Sequence, residues 1–150
     1  MNNSPKFLSL LSHFNVSNSD VKSEEIFNLM SAYLALGHGT NAVKKCGAVY
    51  QVDILKKKKG KVVLAFNINL KDGNGSCNRG TADKFDAKFT MVDNDFFKLC
   101  NGKLNPQMAF IRGKMKIKGS MKKATLFTPD LFPKPTAENI AKYSQVKPKL

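Results

Sequence analysis

The chain has 150 residues, enough for one domain that buries roughly two-thirds of its unfolded surface. Its formal net charge is +14, and Arg occurs only at Arg79 and Arg112. The charge favours polyanionic partners, while scarce Arg argues against base-reading nucleic-acid recognition; three scattered cysteines without a CxxC argue against a disulfide or zinc framework, and no apolar run reaches membrane-spanning length.

Residues 1–21 are rich in Asn and Ser and read as a flexible leader, whose short apolar run at residues 7–11 is too broken for a signal peptide. Ser23 with Glu24 and Glu25 then offers a cap and a negative first turn. Ile26, Leu29, Met30, Tyr33 and Leu36 follow at helical spacing, with Phe27 and Leu34 as a second stripe. A helix greasy on more than one side is deeply buried or covers something apolar. Gly37-His38-Gly39 breaks it, and Thr40 caps a short continuation.

Residues 47–55 alternate, with Ala48, Tyr50, Val52 and Ile54 on a dry face and Gln51 and Asp53 on a wet one. Lys56-Lys57-Lys58-Lys59-Gly60 is a turn. Residues 61–70 alternate again, with Val62, Leu64, Phe66, Ile68 and Leu70 together on one face, which makes a hairpin. Residues 76–81 form a weak third strand, and Phe85, Ala87, Phe89 and Met91 mark the dry side of a fourth. Asp93 then caps a helix whose buried face is Phe96, Leu99 and Cys100, and Asn101-Gly102 ends it. Asn105-Pro106 opens a second helix, because Asn caps free N–H groups and Pro at the first position loses a donor that has no partner there. Gly113 stops it, and Lys114-Met115-Lys116-Ile117-Lys118 alternates as a fifth strand. A last short helix spans residues 121–127. From Pro133 onward Pro and Lys dominate, which reads as a flexible tail over residues 133–150.

The fold class that follows is α+β: a five-stranded, largely antiparallel sheet, covered on one face by about five helices and wet on the other. The folded unit spans residues 22–132.

Residues 90–119 resemble the sterol carrier protein 2 family. The likeness rests on Met91, Asp93, Asp95 and Phe96, the block Gly102-Lys103-Leu104-Asn105-Pro106-Gln107, then Ala109-Phe110, Gly113-Lys114, Lys116-Ile117 and Gly119-Ser120-Met121. It extends more weakly over residues 43–132. The resemblance implies an apolar tunnel between sheet and helices that encloses fatty acids, fatty acyl-CoA esters, sterols or phospholipids. The candidate wall residues are Ile26, Met30, Tyr33, Leu34, Phe66, Ile68, Phe89, Phe96, Leu99, Met108, Phe110, Ile111, Met115 and Phe127, with Gln107 and Arg112 as polar contacts at the mouth. An ordinary filled core would use the same apolar residues, so spacing alone leaves both readings open.

Other constellations are weaker. Lys56, Lys57, Lys58 and Lys59 are either a solvated turn or a docking point on an anionic membrane. Gly73-Asn74-Gly75 lacks the third glycine of a dinucleotide loop, the phosphate-loop spacing from Gly75 has Thr81 where Lys is required, and His13 and His38 lack partners at ligand or triad spacing. No cofactor and no enzymatic reaction is implied. Pro148-Lys149-Leu150 resembles the Ser-Lys-Leu peroxisomal address with Pro in place of Ser. The expectation is a monomeric lipid carrier in the peroxisome, recognised by an import receptor, with the cytosol as the alternative location. The rival is a basic nucleic-acid-binding module with aromatics interleaved among lysines, and a third reading is an interaction domain with an inert, filled cleft.

Overall fold

A computed structural model describes residues 21–144. In chain order the elements are α1 (Ser23–Ala35), α2 (Thr40–Cys46), β1 (Ala48–Leu55), β2 (Val62–Leu70), β3 (Ser76–Arg79), β4 (Ala87–Val92), α3 (Asp93–Cys100), α4 (Pro106–Ile111), β5 (Met115–Gly119), α5 (Met121–Leu126), a single 3-10 turn (Pro129–Leu131) and α6 (Ala137–Tyr143). The strands form one sheet in the order β3-β2-β1-β4-β5, antiparallel at every step except β1–β4. The expected α+β class and five-stranded sheet are therefore present.

The one parallel pair forces the chain to cross from β3 to β4, and residues 80–86 make that crossing over the outer face of the sheet. Gln51 is the bracket. Its Oε1 accepts from the Ala82 N–H at 2.9 Å, and its Nε2 donates to the Gly80 carbonyl at 3.3 Å and to Asp53 at 3.0 Å. Gln51 is thus buried rather than on a wet face; a strand's own alternation cannot announce a segment arriving from elsewhere. Phe85 is corrected for the same reason. It precedes β4, and its ring lies 5.8 Å from the Lys88 ammonium. Asp86 closes the crossing: its N–H donates to the Val49 carbonyl, its carboxylate accepts from the Val49 N–H at 2.8 Å, and its carbonyl accepts from the Ser120 N–H at 2.7 Å. Gly119 sits beside it at φ +99°, where an added Cβ would fall 2.4 Å from the Asp86 carbonyl oxygen, so only glycine fits.

Three helix starts are built differently from the local expectation. Ser23 does not cap α1. The cap comes from Asp93, seventy residues away in sequence, whose buried carboxylate accepts from the Lys22 N–H at 2.8 Å and the Ser23 N–H at 2.7 Å. Asp93 therefore does not cap its own helix, α3, which starts after Val92 without a side-chain cap. Thr40 is the first residue of α2 and donates its hydroxyl to Asn74. Asn105 behaves as expected: its Oδ1 accepts from the Gln107 and Met108 N–H groups at 2.8 and 3.1 Å, with Pro106 in the first turn.

The inner face is dry, but Val62 is not on it as the alternation implies: the β1–β2 register shifts between Ile54 and Leu55, and Val62 is exposed. Ala48, Tyr50, Val52, Ile54, Leu64, Phe66, Ile68 and Leu70 meet Ile26, Phe27, Met30 and Leu34 of α1 in a filled core, with Phe27 and Phe66 rings 5.3 Å apart. The C-terminal segment departs from the expected tail. Residues 133–144 carry α6, capped by Thr136, which sets Tyr143 against Leu29 and Ala32 of α1 in a small satellite core. Pro133 and Pro135 punctuate the chain before this helix, so the local composition that suggests a tail is the approach to a docked element. Residues 1–20, with most of the expected leader, and Pro148-Lys149-Leu150 lie outside the described residues.

Asp93 joins the start of α1 to the β4–α3 junction through two charge-assisted bonds. Asp93→Ala is expected to lower stability by about 3 kcal/mol, since both N–H groups lose their acceptor, and Asp93→Asn by about half of that. Urea denaturation checks this; an unchanged midpoint for the alanine variant would contradict it.

Candidate functional site

The inner face is filled under α1 but not throughout. Over β4 and β5, at the other side of the sheet, α3, α4 and α5 stand off the strands and leave a cavity of about 550 Å³. That lies within the 300–1,000 Å³ range of small-molecule sites. Its floor is Phe89 and Met91 of β4 with Met115 and Ile117 of β5. Phe96, Leu99 and Cys100 form one wall, Phe110 and Ile111 a second, and Met121 and Ala124 a third, with Phe127 and Phe132 at the inner end.

Two aromatic rings divide this space from the filled core. Phe127 lies 4.6 Å from Tyr50 and 5.5 Å from Phe89, and Phe96 lies 6.1 Å from Phe66. The wall carrying Phe127 is fixed at several points. The Tyr50 hydroxyl donates to the Lys123 carbonyl at 2.7 Å, the Lys123 ammonium donates to the Cys46 carbonyl at 3.0 Å, and the Cys46 thiol donates to the Leu126 carbonyl at 3.5 Å. The facing helix, α4, buries one residue, Ala109, just as α5 buries Ala124, but among the described residues no side-chain hydrogen bond ties it to the sheet.

Among the described residues, no charged side chain lines the cavity. Its polar contributors are mostly engaged elsewhere. Thr125 donates to the Lys122 carbonyl at 2.8 Å, Thr128 accepts from Lys45 at 3.2 Å and donates to Asp130, and Asn105 caps α4. Among the described residues, the Gln107 side-chain amide makes no hydrogen bond to protein, which leaves it available at the cavity edge. Cys100 lines the wall, and burial pushes its thiol up to about 12; burial also raises the Cys77 and Cys46 thiols. All three are protonated at neutral pH and poor nucleophiles. The described residues contain no cluster of three metal-ligating side chains.

Of the sequence candidates, Met30, Phe89, Phe96, Leu99, Gln107, Phe110, Ile111, Met115 and Phe127 are brought together around the cavity. Ile26, Leu34, Phe66 and Ile68 are not; they belong to the filled core, where α1 lies directly on β2 and β3. Tyr33 packs between the main and satellite cores and does not line the cavity; its ring lies 5.8 Å from Phe132 and 5.9 Å from Tyr143. Met108 and Arg112 are exposed and do not line the space: α4 turns Phe110 and Ile111 toward it and Met108 away, and Arg112 is the C-cap. Lys56, Lys57, Lys58 and Lys59 are exposed in the β1–β2 turn, away from the lining. Sequence reasoning missed Ile117, Ala124 and Phe132. Ile117 was accessible, since it shares the dry face of its strand with Met115.

The sequence pattern of the SCP-2 sterol transfer family matches residues 30–131, which is well over half of the chain and contains β4, β5, α3, α4 and α5 whole. The chain belongs to that family. Sterol carrier protein 2 of Arabidopsis thaliana is 44% identical over 121 residues, covering 81% of this chain and 98% of that protein. Peroxisomal multifunctional enzyme A of Dictyostelium discoideum is 34% identical over 122 residues, 81% of this chain but only 27% of that protein, so there the domain is one part of an enzyme. Among solved structures, the apo form of sterol carrier protein 2 from Yarrowia lipolytica superposes with a TM-score of 0.62 at 28% identity, covering 71% of this chain and 86% of that one.

Cys100 gives a direct probe, because it is the one described cysteine on the cavity wall. Maleimide labelling at pH 7 is expected to be slow, since the thiolate fraction at a pKa of about 12 is on the order of one part in 10⁵ and rises tenfold per pH unit. A saturating fatty acid is expected to slow labelling of Cys100 further and to leave Cys46 and Cys77 unchanged, read by peptide mass. Equal protection of all three, or of none, would contradict the placement.

Proposed function

We propose that the chain is a non-enzymatic lipid carrier that houses the hydrocarbon part of a fatty acid, an acyl-CoA ester or a sterol in the cavity over β4 and β5, and passes it between membranes or enzymes. The observation that carries this reading is an uncharged, Phe- and Met-rich space of about 550 Å³ with an opening, on a chain of the sterol transfer family. The energetics are adequate without a polar anchor. Each buried CH₂ contributes about 0.8 kcal/mol, so roughly sixteen carbons contribute on the order of 12 kcal/mol gross. After ordering and association costs, micromolar affinity needs about 8 kcal/mol. The flexible side chains of Met30, Met91, Met115 and Met121 adapt the lining to more than one ligand shape.

A polar head group has no partner of opposite charge inside, so it stays at the mouth beside Gln107. Exchange passes between α4 and α5, because α4 is the weakly anchored wall. The Dictyostelium relative's name supports a peroxisomal setting, and an import receptor reading Pro148-Lys149-Leu150 is the corresponding partner. The nucleic-acid reading is disfavoured: Phe66 and Phe89 are buried on the inner face, where they cannot stack on bases.

Titration with fatty acids of increasing length tests the carrier reading. Affinity is expected to rise about fourfold per added CH₂, the equivalent of about 0.8 kcal/mol, until the cavity is full. Leu99→Trp, which fills the wall, is expected to lower affinity at least about tenfold with the fold intact by circular dichroism. Affinity independent of chain length, or binding of single-stranded DNA at physiological salt without lipid uptake, would contradict it.

A further inference from the structure

The large exposed apolar side chains of the described residues fall in few places, and one group surrounds the cavity opening. Ile111 is 73% exposed, Met121 46%, Phe110 43% and Met108 40%. Ile111, Phe110 and Met121 also line the cavity, so the opening lies between α4 and α5 and its lips are greasy. A lip of this kind is a poor surface to leave in water. The charge around it is one-sided. From residue 96 to residue 129 the chain contains no Asp or Glu; of its cations, Lys116 and Lys118 alternate with the cavity-facing Met115 and Ile117 and so lie on the outer face of the sheet, and Lys123 is bonded to the Cys46 carbonyl, which leaves Arg112, Lys114 and Lys122 beside the opening. That stretch encodes α4, β5 and α5, the three elements at the opening. Arg112 and Lys114 follow Ile111, Lys122 follows Met121, and all three cations are exposed.

We infer that the lip between α4 and α5 is a docking surface for an anionic lipid bilayer. Apolar lips enter the acyl boundary while the cations beside them meet lipid phosphates or carboxylates, which is how a basic, amphipathic surface lies on a membrane without crossing it. None of the described helices is long and apolar enough to span one. The lysine turn at residues 56–59 has charge and the neighbouring exposed Val62 and Val63, but no route from it enters the cavity. Docking at the lip joins the cavity to the bilayer interior, so a hydrocarbon tail passes without crossing water. The proposal rests on the carrier reading only for its purpose, not for its geometry.

Vesicle co-sedimentation with phosphatidylcholine, with and without phosphatidylserine, tests it on the full chain. Met108→Glu places a charge on the exposed surface of α4 beside the lip, outside the cavity lining, and Arg112→Glu with Lys114→Glu reverses the neighbouring charge. Each is expected to lower partition onto phosphatidylserine vesicles about tenfold or more, with uptake of a fluorescent fatty acid unchanged. Lys57→Glu with Lys58→Glu is expected to change partition less than about twofold. The inference is overturned if the turn variant loses as much as the lip variants, or if the lip variants bind like the wild type. It is also overturned if the wild type shows no preference for phosphatidylserine, as for a surface that meets an acidic protein instead. Failure of fatty-acid uptake in the wild type would sink the carrier reading, and the vesicle arm would still decide docking.

Discussion

The arrangement depends on a wedge of aromatic rings. Phe127 sits between Tyr50 and Phe89, and Phe96 meets Phe66. These contacts complete the core under α1 and, on their other side, become the end walls of the cavity. A ring is well suited to this position, since it is large, has few rotamers and presents an apolar face in both directions. The Tyr50 hydroxyl adds a fixed bond to the Lys123 carbonyl, which ties α5 to β1 and prevents it from collapsing onto β5. Without such a brace, dispersion and burial would draw the short helices down until the space closed.

The asymmetry of the two walls follows from the same contacts. α5 is tied through Tyr50, Lys123 and Cys46 to β1 and α2. α4 is two turns at most, is capped by Asn105 and buries one alanine. α5 also buries a single alanine, Ala124, so the walls differ in their bonding: an element with few buried contacts and no side-chain tie to the sheet opens at low free energy. The family's carrier activity needs both properties, a wall that keeps the space open and a wall that yields.

Much of the fold was legible because its signals are local. The alternation of Ala48, Tyr50, Val52 and Ile54, the Asn105-Pro106 start and the strand from Met115 all depend on neighbours within a few residues. What depended on distant pairing was not legible. Asp93 looked like the cap of its own helix, yet its carboxylate holds the start of α1. Gln51 looked solvated, yet the crossing at residues 80–82 covers it. Ile26, Leu34, Phe66 and Ile68 share every local feature with Phe89 and Met115. Only the strand order, which puts β4 and β5 on the side away from α1, separates a filled half from a hollow one. Tyr143 and α6 were missed because their partners, Leu29 and Ala32, lie more than a hundred residues earlier.

The hollow half is also where a direct measurement has most force. A fatty acid carrying a nitroxide near the end of its tail can be added to protein with labelled methyl groups, and relaxation read by NMR. The account predicts strong broadening of the methyls of Met91, Met115, Ile117 and Ala124, with those of Ile26, Leu34, Ile68 and Leu70 spared. Broadening centred on the second group, or confined to surface methyls such as those of Val62 and Val63, would contradict it.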